Sequence, residues 1–396
     1  METLIRKLDG SADDEVIFRE AAEWIRRGYP VAFPTETVYG LGGNGLDPSS
    51  SRAIYAAKGR PSDNPLILHI ADREAILPLV REIPPAAQKL MDAFWPGPLT
   101  IIFRKTDLVP RETTGGLDTV AVRMPSHPGA AALIRAAGVP IAAPSANASG
   151  RPSPTCAQHV YEDLQGRIPL IIDGGECEIG LESTIVDVTG PVPEILRPGY
   201  IGLPALRSLL GTVSVDPAVL GKPDEKTAPR APGMKYRHYA PQVPLTLVAG
   251  PDEKRAAHIL QKAQEAAEKG ERTGALVCRE TLPYYQAEAG DRLLLIPLGS
   301  RNRPEEIAHG LFAALRHLDE CGLSHVYSET FEEGPLGAAI MNRLRKAAAF
   351  DLTDLSELQP SGAADAFTET ADTSAETSGT FAETASSFTQ KGENNG

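Results

Sequence analysis

The chain has 396 residues, 42% hydrophobic and 23% charged, with a formal charge of −13, enough for two or three domains with ordinary cores rather than one. An acidic balance of that size excludes a surface that coats nucleic acid at large, so any phosphate site has to be a local basic pocket. The four cysteines, Cys156, Cys177, Cys278 and Cys321, form no C-x-x-C pair, and there is neither a signal-type N-terminus nor an eighteen-residue apolar run, so zinc ribbons, disulfide scaffolds and membrane spans are set aside in favour of a cytoplasmic, reducing location.

In chain order, Glu15 to Arg27 carries apolar positions at helical spacing, and Tyr29 to Phe33 reads as a buried strand. Further helices are predicted at Ser50–Lys58, Ala86–Phe94, Pro128–Ala137 and Thr155–Leu164. Strands are predicted at Leu66–Ile70, Leu99–Arg104, Thr119–Arg123, Ile141–Ala143, Leu170–Asp173 and Ser183–Val188. This alternation gives an α/β domain over residues 1–210. From 211 to 244 the chain is rich in Pro, Lys and Gly and lacks periodicity, which makes it a linker too long to be idle. Its cluster Lys235-Tyr236-Arg237-His238-Tyr239 suggests docking. A second alternation follows over 245–350: strands Leu245–Val248, Gly274–Cys278, Leu293–Pro297 and His325–Ser328, helices Glu253–Lys269 and Pro304–Asp319, and a closing helix Gly334–Ala348. It implies a small doubly wound parallel sheet. The tail 360–396, with six acids against one lysine, is too polar to offset its ordering entropy and is expected to be disordered.

The chemistry concentrates in a few segments. In Lys58-Gly59-Arg60-Pro61-Ser62-Asp63-Asn64-Pro65-Leu66 two cations stand one residue apart. Pro61 drives Arg60 out of the helical region, so the helix ends near Lys58 and both charges are read as exposed at its exit. There they serve either the helix dipole or a polyanion, Lys as a point charge and Arg as a fork. Pro144 to Gly150 sets Ser145, Asn147 and Ser149 at the carboxyl end of a strand, where open α/β sheets bind ligands, although the same peptide also makes an ordinary turn. Thr35, Glu36, Thr37 and Tyr39 follow another strand, and the glycines of 40–45 permit either close backbone approach or a β-turn. Arg123 is flanked by apolar residues and needs an anionic partner, for which a carboxylate has the right fork. His69 reads as a hydrogen-bonded core residue. Glu182–Asp187 and Leu196–Gly199 form a strand, a turn and a strand, with Arg197 in the second. His258, His309 and His317 lie on amphipathic helices without metal-ligand spacing, and no protein metal site is expected.

Eight motifs stand in register: Pro34–Gly40, Lys58–Leu66, Phe94–Thr100, Ala121–Pro125, Pro144–Gly150, Glu182–Asp187, Leu196–Gly199 and His238–Pro241. Together they make residues 1 to about 350 similar to the two-domain threonylcarbamoyl-AMP synthases. The resemblance implies a YrdC-like twisted open-sheet domain with a concave active site, a linker that folds over it, and a Rossmann-like C-terminal domain. It implies a nucleotidyltransferase that makes threonylcarbamoyl-AMP and pyrophosphate from L-threonine, bicarbonate or carbon dioxide, and ATP, for threonylcarbamoyladenosine in tRNA. A downstream tRNA threonylcarbamoyl transferase would take the product, and direct tRNA contact is left open. By motif, Thr35, His69, Arg123, the Ala143 carbonyl and Ser183 would hold threonine. Lys58, Arg60, Ser62, Asn64, Thr119, Ser145, Asn147, Ser153, Arg197 and Tyr239 would hold ATP. Lys58, Arg60, Ser145 and Asn147 would carry the catalysis, with Mg²⁺ held mainly by the nucleotide. The alternative is a non-catalytic module that binds tRNA or double-stranded RNA on the concave face, which the acidic body opposes. The tail beyond Pro360 has no place in the family pattern.

Overall fold

The computed structural model describes residues 1–221, 229–234, 238–331 and 334–356. The expectations placed on Lys235, Tyr236 and Arg237 and on the 360–396 tail fall outside these residues. The first part of the chain runs β1 (Leu4–Lys7), α1 (Asp14–Arg26), β2 (Val31–Phe33), β3 (Gly40–Asn44), α2 (Pro48–Lys58), β4 (Ile67–His69), α3 (Pro85–Phe94), β5 (Leu99–Arg104), β6 (Thr119–Arg123), α4 (Pro128–Ala137), β7 (Ile141–Ala143), α5 (Ala157–Leu164), β8 (Leu170–Asp173), β9 (Thr184–Asp187), β10 (Glu194–Arg197), α6 (Leu203–Leu210), β11 (Ser214–Val215) and α7 (Pro217–Leu220). The second runs β12 (Leu245–Ala249), α8 (Asp252–Ala267), β13 (Thr273–Cys278), α9 (Leu282–Gln286), β14 (Leu293–Gly299), α10 (Pro304–His317), β15 (His325–Glu329), α11 (Gly334–Ala347) and β16 (Leu352–Asp354).

Among the described residues the first eleven strands form one mixed sheet in the order β1-β8-β2-β3-β7-β4-β6-β5-β9-β10-β11, and the last five form a second, β14-β13-β15-β12-β16. Every pairing in the second sheet is parallel, as its alternation with helices implied. The large sheet buries both faces by the period of two along each strand. Val31, Phe33, Ile141 and Ala143 face a core with Phe18, Ile25 and Leu133. Their neighbours Ala32 and Ala142 face the opposite core with Ile54, Leu68, Ile101 and Val122.

Of the two readings left open for residues 40–45, close backbone approach holds: Gly40–Asn44 is the interior strand β3, antiparallel to β2 and to β7, and the turn begins only at Gly45. Its glycines are needed because a Cβ on Gly42 would stand 2.6 Å from Ile141 Cγ2 and 2.8 Å from the Phe33 ring, a packing reason the sequence hides behind a low strand propensity. Residues 211–244 are not devoid of elements: β11 extends the large sheet beside β10, and α7 follows, capped by the Asp216 carboxylate on Ala218 N at 2.8 Å.

The described residues belong to one compact unit. Val38 and Leu181 of the first part share a core with Tyr239 and with Leu311, Phe312, Leu315 and Ile340 of α10 and α11, so the helices of the second part pack directly on the first. Among the described residues no helix is long and apolar enough to cross a membrane.

Candidate active site

The carboxyl end of α2 is fixed by local chemistry. Asp47 caps its start by accepting from Ser49 N at 2.8 Å, with Pro48 at the first helical position. Gly59 ends it at φ +63°, with Gly59 N on Ala56 O and Arg60 N on Tyr55 O at 3.2 and 3.0 Å, a Schellman closure. Lys58 is thereby aimed at the loop that follows β7. Its Nζ donates to the carbonyl oxygens of Ser145 and Asn147, each at 2.5 Å, and Ser149 N returns a bond to Lys58 O at 2.9 Å. The reading of Lys58 as an exposed cation is corrected: it is 2% exposed. Burial, and next the charge of Arg60, hold its pKa well below the ordinary lysine value.

The loop itself is closed by short side chains. Ser145 Oγ donates to Asn147 Oδ1 at 2.5 Å, Asn147 Nδ2 donates to Ala148 O and Arg151 O at 2.8 and 2.9 Å, and Ala148 N bonds the Asp163 carboxylate at 2.9 Å. Arg60 is half-buried and spans Asn64 O and Pro65 O at 3.2–3.4 Å. Burial lowers its pKa to about 10, so it stays cationic at neutral pH.

On the other side lie the groups expected around an amino acid. Thr35 Oγ1 donates to Val38 O at 2.7 Å. His69 Nδ1 donates to Ile67 O at 3.1 Å, and burial, with the Arg123 charge adding to it, lowers its pKa to about 3. The ring is therefore neutral, as a core histidine should be, but it also lines the cavity. Arg123 has the anionic partner its setting demanded, and that partner is within the chain: Glu36 Oε1 lies 2.8 Å from its NH2, both residues nearly fully buried. Burial pushes the Glu36 pKa up, but the guanidinium outweighs it and holds the carboxyl below its usual range. Ser183 shares hydrogen bonds with Thr100 Oγ1 at 2.7 Å and Arg197 NH2 at 3.1 Å.

These segments converge. Thr35, Lys58, Arg60, His69, Arg123, Ala143, Ser145, Asn147, Ser153, Ser183, Arg197 and Tyr239 all line one cavity with about 50 Å³ of free space. Ser62, Asn64 and Thr119 are not among its lining residues; Asn64 contributes indirectly, through the carbonyl that Arg60 and Tyr55 share. The roof is the segment that crosses from the first part to the second. Pro232 O accepts from Arg197 NH1 at 3.3 Å, and Ala240 N bonds Gly150 O at 3.1 Å. Tyr239, at φ +64°, stacks on Phe312 with ring centroids 5.2 Å apart.

Sequence reasoning missed a layer behind this wall. Glu182 lines the cavity and takes a bond from Ser153 Oγ at 2.5 Å, while its other oxygen accepts from Arg343 Nε of α11 at 3.0 Å. Arg343, fully buried, also donates to Pro198 O at 2.6 Å and stands 5.8 Å from the Tyr239 ring. Lys346, one turn on, donates to Gly233 O. A basic residue on an amphipathic helix reads as solvent-facing, so nothing local marked either.

Comparison with known proteins agrees with this arrangement. A family model described as telomere recombination matches residues 23–199, and one described as threonylcarbamoyl-AMP synthase, C-terminal domain, matches 201–349. The chain is 49% identical over 337 residues to the threonylcarbamoyl-AMP synthase of Pyrococcus abyssi, covering 85% of this chain and 95% of that one. It is 47% identical over 330 residues to the Bacillus subtilis enzyme of the same name, covering 83% and 92%. The crystal structure of P. abyssi Sua5 complexed with L-threonine superposes with a TM-score of 0.81 at 46% identity, covering 90% of this chain and all of that one.

Proposed function

Since the chain belongs to the threonylcarbamoyl-AMP synthase family, we infer that it joins L-threonine, bicarbonate-derived carbon dioxide and ATP into threonylcarbamoyl-AMP with release of pyrophosphate, the reaction of a nucleotidyltransferase, in service of tRNA modification. The observation that carries the reading at the level of chemistry is the convergence of three arginines on one cavity, Arg123 beside Thr35 and His69, Arg197 beside Ser183, and Arg60.

In this mechanism the threonine carboxylate sits on Arg123, displacing part of its pairing with Glu36. The amine nitrogen bonds to carbon dioxide and gives up a proton, and an oxygen of the resulting carbamate attacks the α-phosphorus as pyrophosphate leaves in line. Placement and charge neutralisation supply most of the barrier lowering in such a transfer. Arg60 and Arg197 would meet the phosphates. Lys58 spends its donors on the Ser145 and Asn147 carbonyls, and so would hold the loop that presents Ser145 and Asn147 to the nucleotide. Among the described residues no group of three or more His, Cys, Asp or Glu is placed to hold a metal, and Glu182 is committed to Arg343 and Ser153. Mg²⁺ would enter with the nucleotide, as part of the MgATP substrate. Pro232, Gly233, His238 and Tyr239 line the same cavity, and closed over the bound substrates they would shield the mixed anhydride from water.

The test is a mass-spectrometric search for threonylcarbamoyl-AMP, with pyrophosphate release measured in parallel. Product should require all three substrates together, and ATP turnover indifferent to L-threonine would overturn the assignment.

A further inference from the structure

Helix α11 turns three polar side chains toward the first part of the chain. Arg343 meets Glu182 at 3.0 Å, Asn342 Nδ2 donates to Val219 O of α7 at 2.9 Å, and Lys346 Nζ donates to Gly233 O in the roof. Lys346 is 6% exposed. Burial first, then the charges of Arg343 and Arg197, lower its pKa to about 7 against the opposing pull of Glu182, and burying a cation in such company is costly. The segment it holds belongs to the catalytic cavity. Pro232 O accepts from Arg197 NH1 at 3.3 Å, and the next carbonyl, Gly233 O, is the one that Lys346 takes, so two consecutive peptide groups are fixed by two different cations. Gly233 has φ +84°, and a Cβ there would stand 3.0 Å from Tyr239 Oη and 3.5 Å from Arg197 Cδ, so the bare glycine backbone lies against both groups. Pro232, Gly233, Arg197 and Tyr239 line the cavity, and Lys346 is not among its lining residues.

We propose that Lys346 is a positioning residue for the nucleotide end of the catalytic cavity: through Gly233 it sets where Arg197 and Tyr239 stand, so that the C-terminal part of the chain tunes ATP affinity without touching the nucleotide. The inference rests on the reading of that cavity as an ATP site. A role in stability alone accounts less well for the residue, because a desolvated cation near two others weakens the free protein, whereas an entering polyphosphate offsets the accumulated positive charge. The threonine end is tied to other groups. Thr35, His69 and Arg123 are held by Val38 O, Ile67 O and Glu36, and Ser183 is linked to the Lys346 assembly only at one remove, through its bond to Arg197.

The experiment is calorimetric titration of the full chain with MgATP and, separately, with L-threonine. Lys346→Met, which keeps the length of the stem and removes the ammonium, should weaken ATP binding about tenfold, the size of one lost charge-assisted hydrogen bond, and change threonine affinity less than about twofold. Because Lys346 is buried, Lys346→Gln, which keeps a neutral donor for Gly233 O, serves as the second variant and should act in the same direction by about threefold or more; retained threonine affinity reports an intact first part in both. In turnover the variants should raise the KM for ATP and leave kcat within about threefold of the parent chain. ATP affinity unchanged in both variants, threonine affinity falling as far as ATP affinity, or a fall in kcat with the KM for ATP unchanged would overturn the proposal. Since binding is read without turnover, a parent chain that binds both ligands yet forms no threonylcarbamoyl-AMP would overturn the assigned reaction alone.

Discussion

Lys58 shows how far a single side chain can depart from its sequence context. A lysine at a helix end beside an arginine reads as solvated charge, yet its ammonium is the internal brace of the Ser145–Asn147 loop. Lys58→Met therefore leaves two buried carbonyls without a donor, and at the cost of an unmade buried hydrogen bond the variant should lose about 2–4 kcal/mol of stability. Urea denaturation measures it, and a loss below about 0.5 kcal/mol, the size of a surface substitution, would return Lys58 to the surface. The histidines give a pH signature. Burial lowers His69 and His238 from the usual 6.5 to about 3, so the unfolded chain takes up their protons as pH falls below 6.5 while the folded chain resists until near 3. Their contribution is complete above pH 6.5 and is lost progressively from there down to about 3, on the order of 1 kcal/mol per pH unit for each ring. His238→Gln should flatten the fall in stability between pH 6 and 4; an unchanged slope would mean that other groups carry it.

Elements were legible in the sequence where apolar runs were continuous. Leu99–Arg104, Thr119–Arg123, Ile141–Ala143 and Leu170–Asp173 are strands with the predicted bounds, because an interior strand covered on both faces reads as an unbroken apolar block. Leu4–Lys7, Ser214–Val215 and Leu352–Asp354 escaped because an edge strand of two to four residues shows too little periodicity and takes its identity from its partner, β8, β10 or β12. β3 escaped for the opposite reason: it is interior, but the ring of Phe33 occupies the space its side chains would fill. Gly42→Ala should then cost about 1–3 kcal/mol through overpacking against Ile141 and Phe33. Chemical denaturation of Gly42→Ala beside a Gly42→Ala/Phe33→Leu double variant tests the cause, since trimming the ring should restore part of the loss if crowding is responsible. The candidate site followed the same logic: motifs on strand ends could be placed by topology, whereas the Glu36–Arg123 and Glu182–Arg343 pairs join segments 87 or more residues apart and leave no local trace.

At the scale of the molecule, the second part closes the catalytic cavity from behind through charges that are not in water. Arg316 of α10 reaches Asp163 at 2.8 Å, the acid that also holds Ala148 N of the Ser145–Asn147 loop. Arg343 of α11 reaches Glu182, the acid that holds Ser153. Two points of the cavity wall thus rest on carboxylates that the second part of the chain pairs, Asp163 jointly with Arg151 of the first part and Glu182 through Arg343. Removing one member of such a pair strands its partner in a low-dielectric setting, a loss of about 3–5 kcal/mol, while replacing both by apolar residues of similar volume costs far less. Arg343→Met should therefore destabilise by about that amount, and adding Glu182→Met should recover a large share of it, a coupling that a double-mutant cycle by urea denaturation reads directly. Strictly additive losses would mean that the two parts are held by apolar packing around Phe312 and Tyr239 alone. If the coupling is found, the roof inherits it, because Tyr239 lies against Phe312 and Arg343 at once. Arg343→Met should then raise the KM for ATP more than that for L-threonine, because of the expected threonine contacts only Ser183 adjoins a residue that Arg343 binds, Glu182, while Thr35, His69 and Arg123 lie on segments it does not touch.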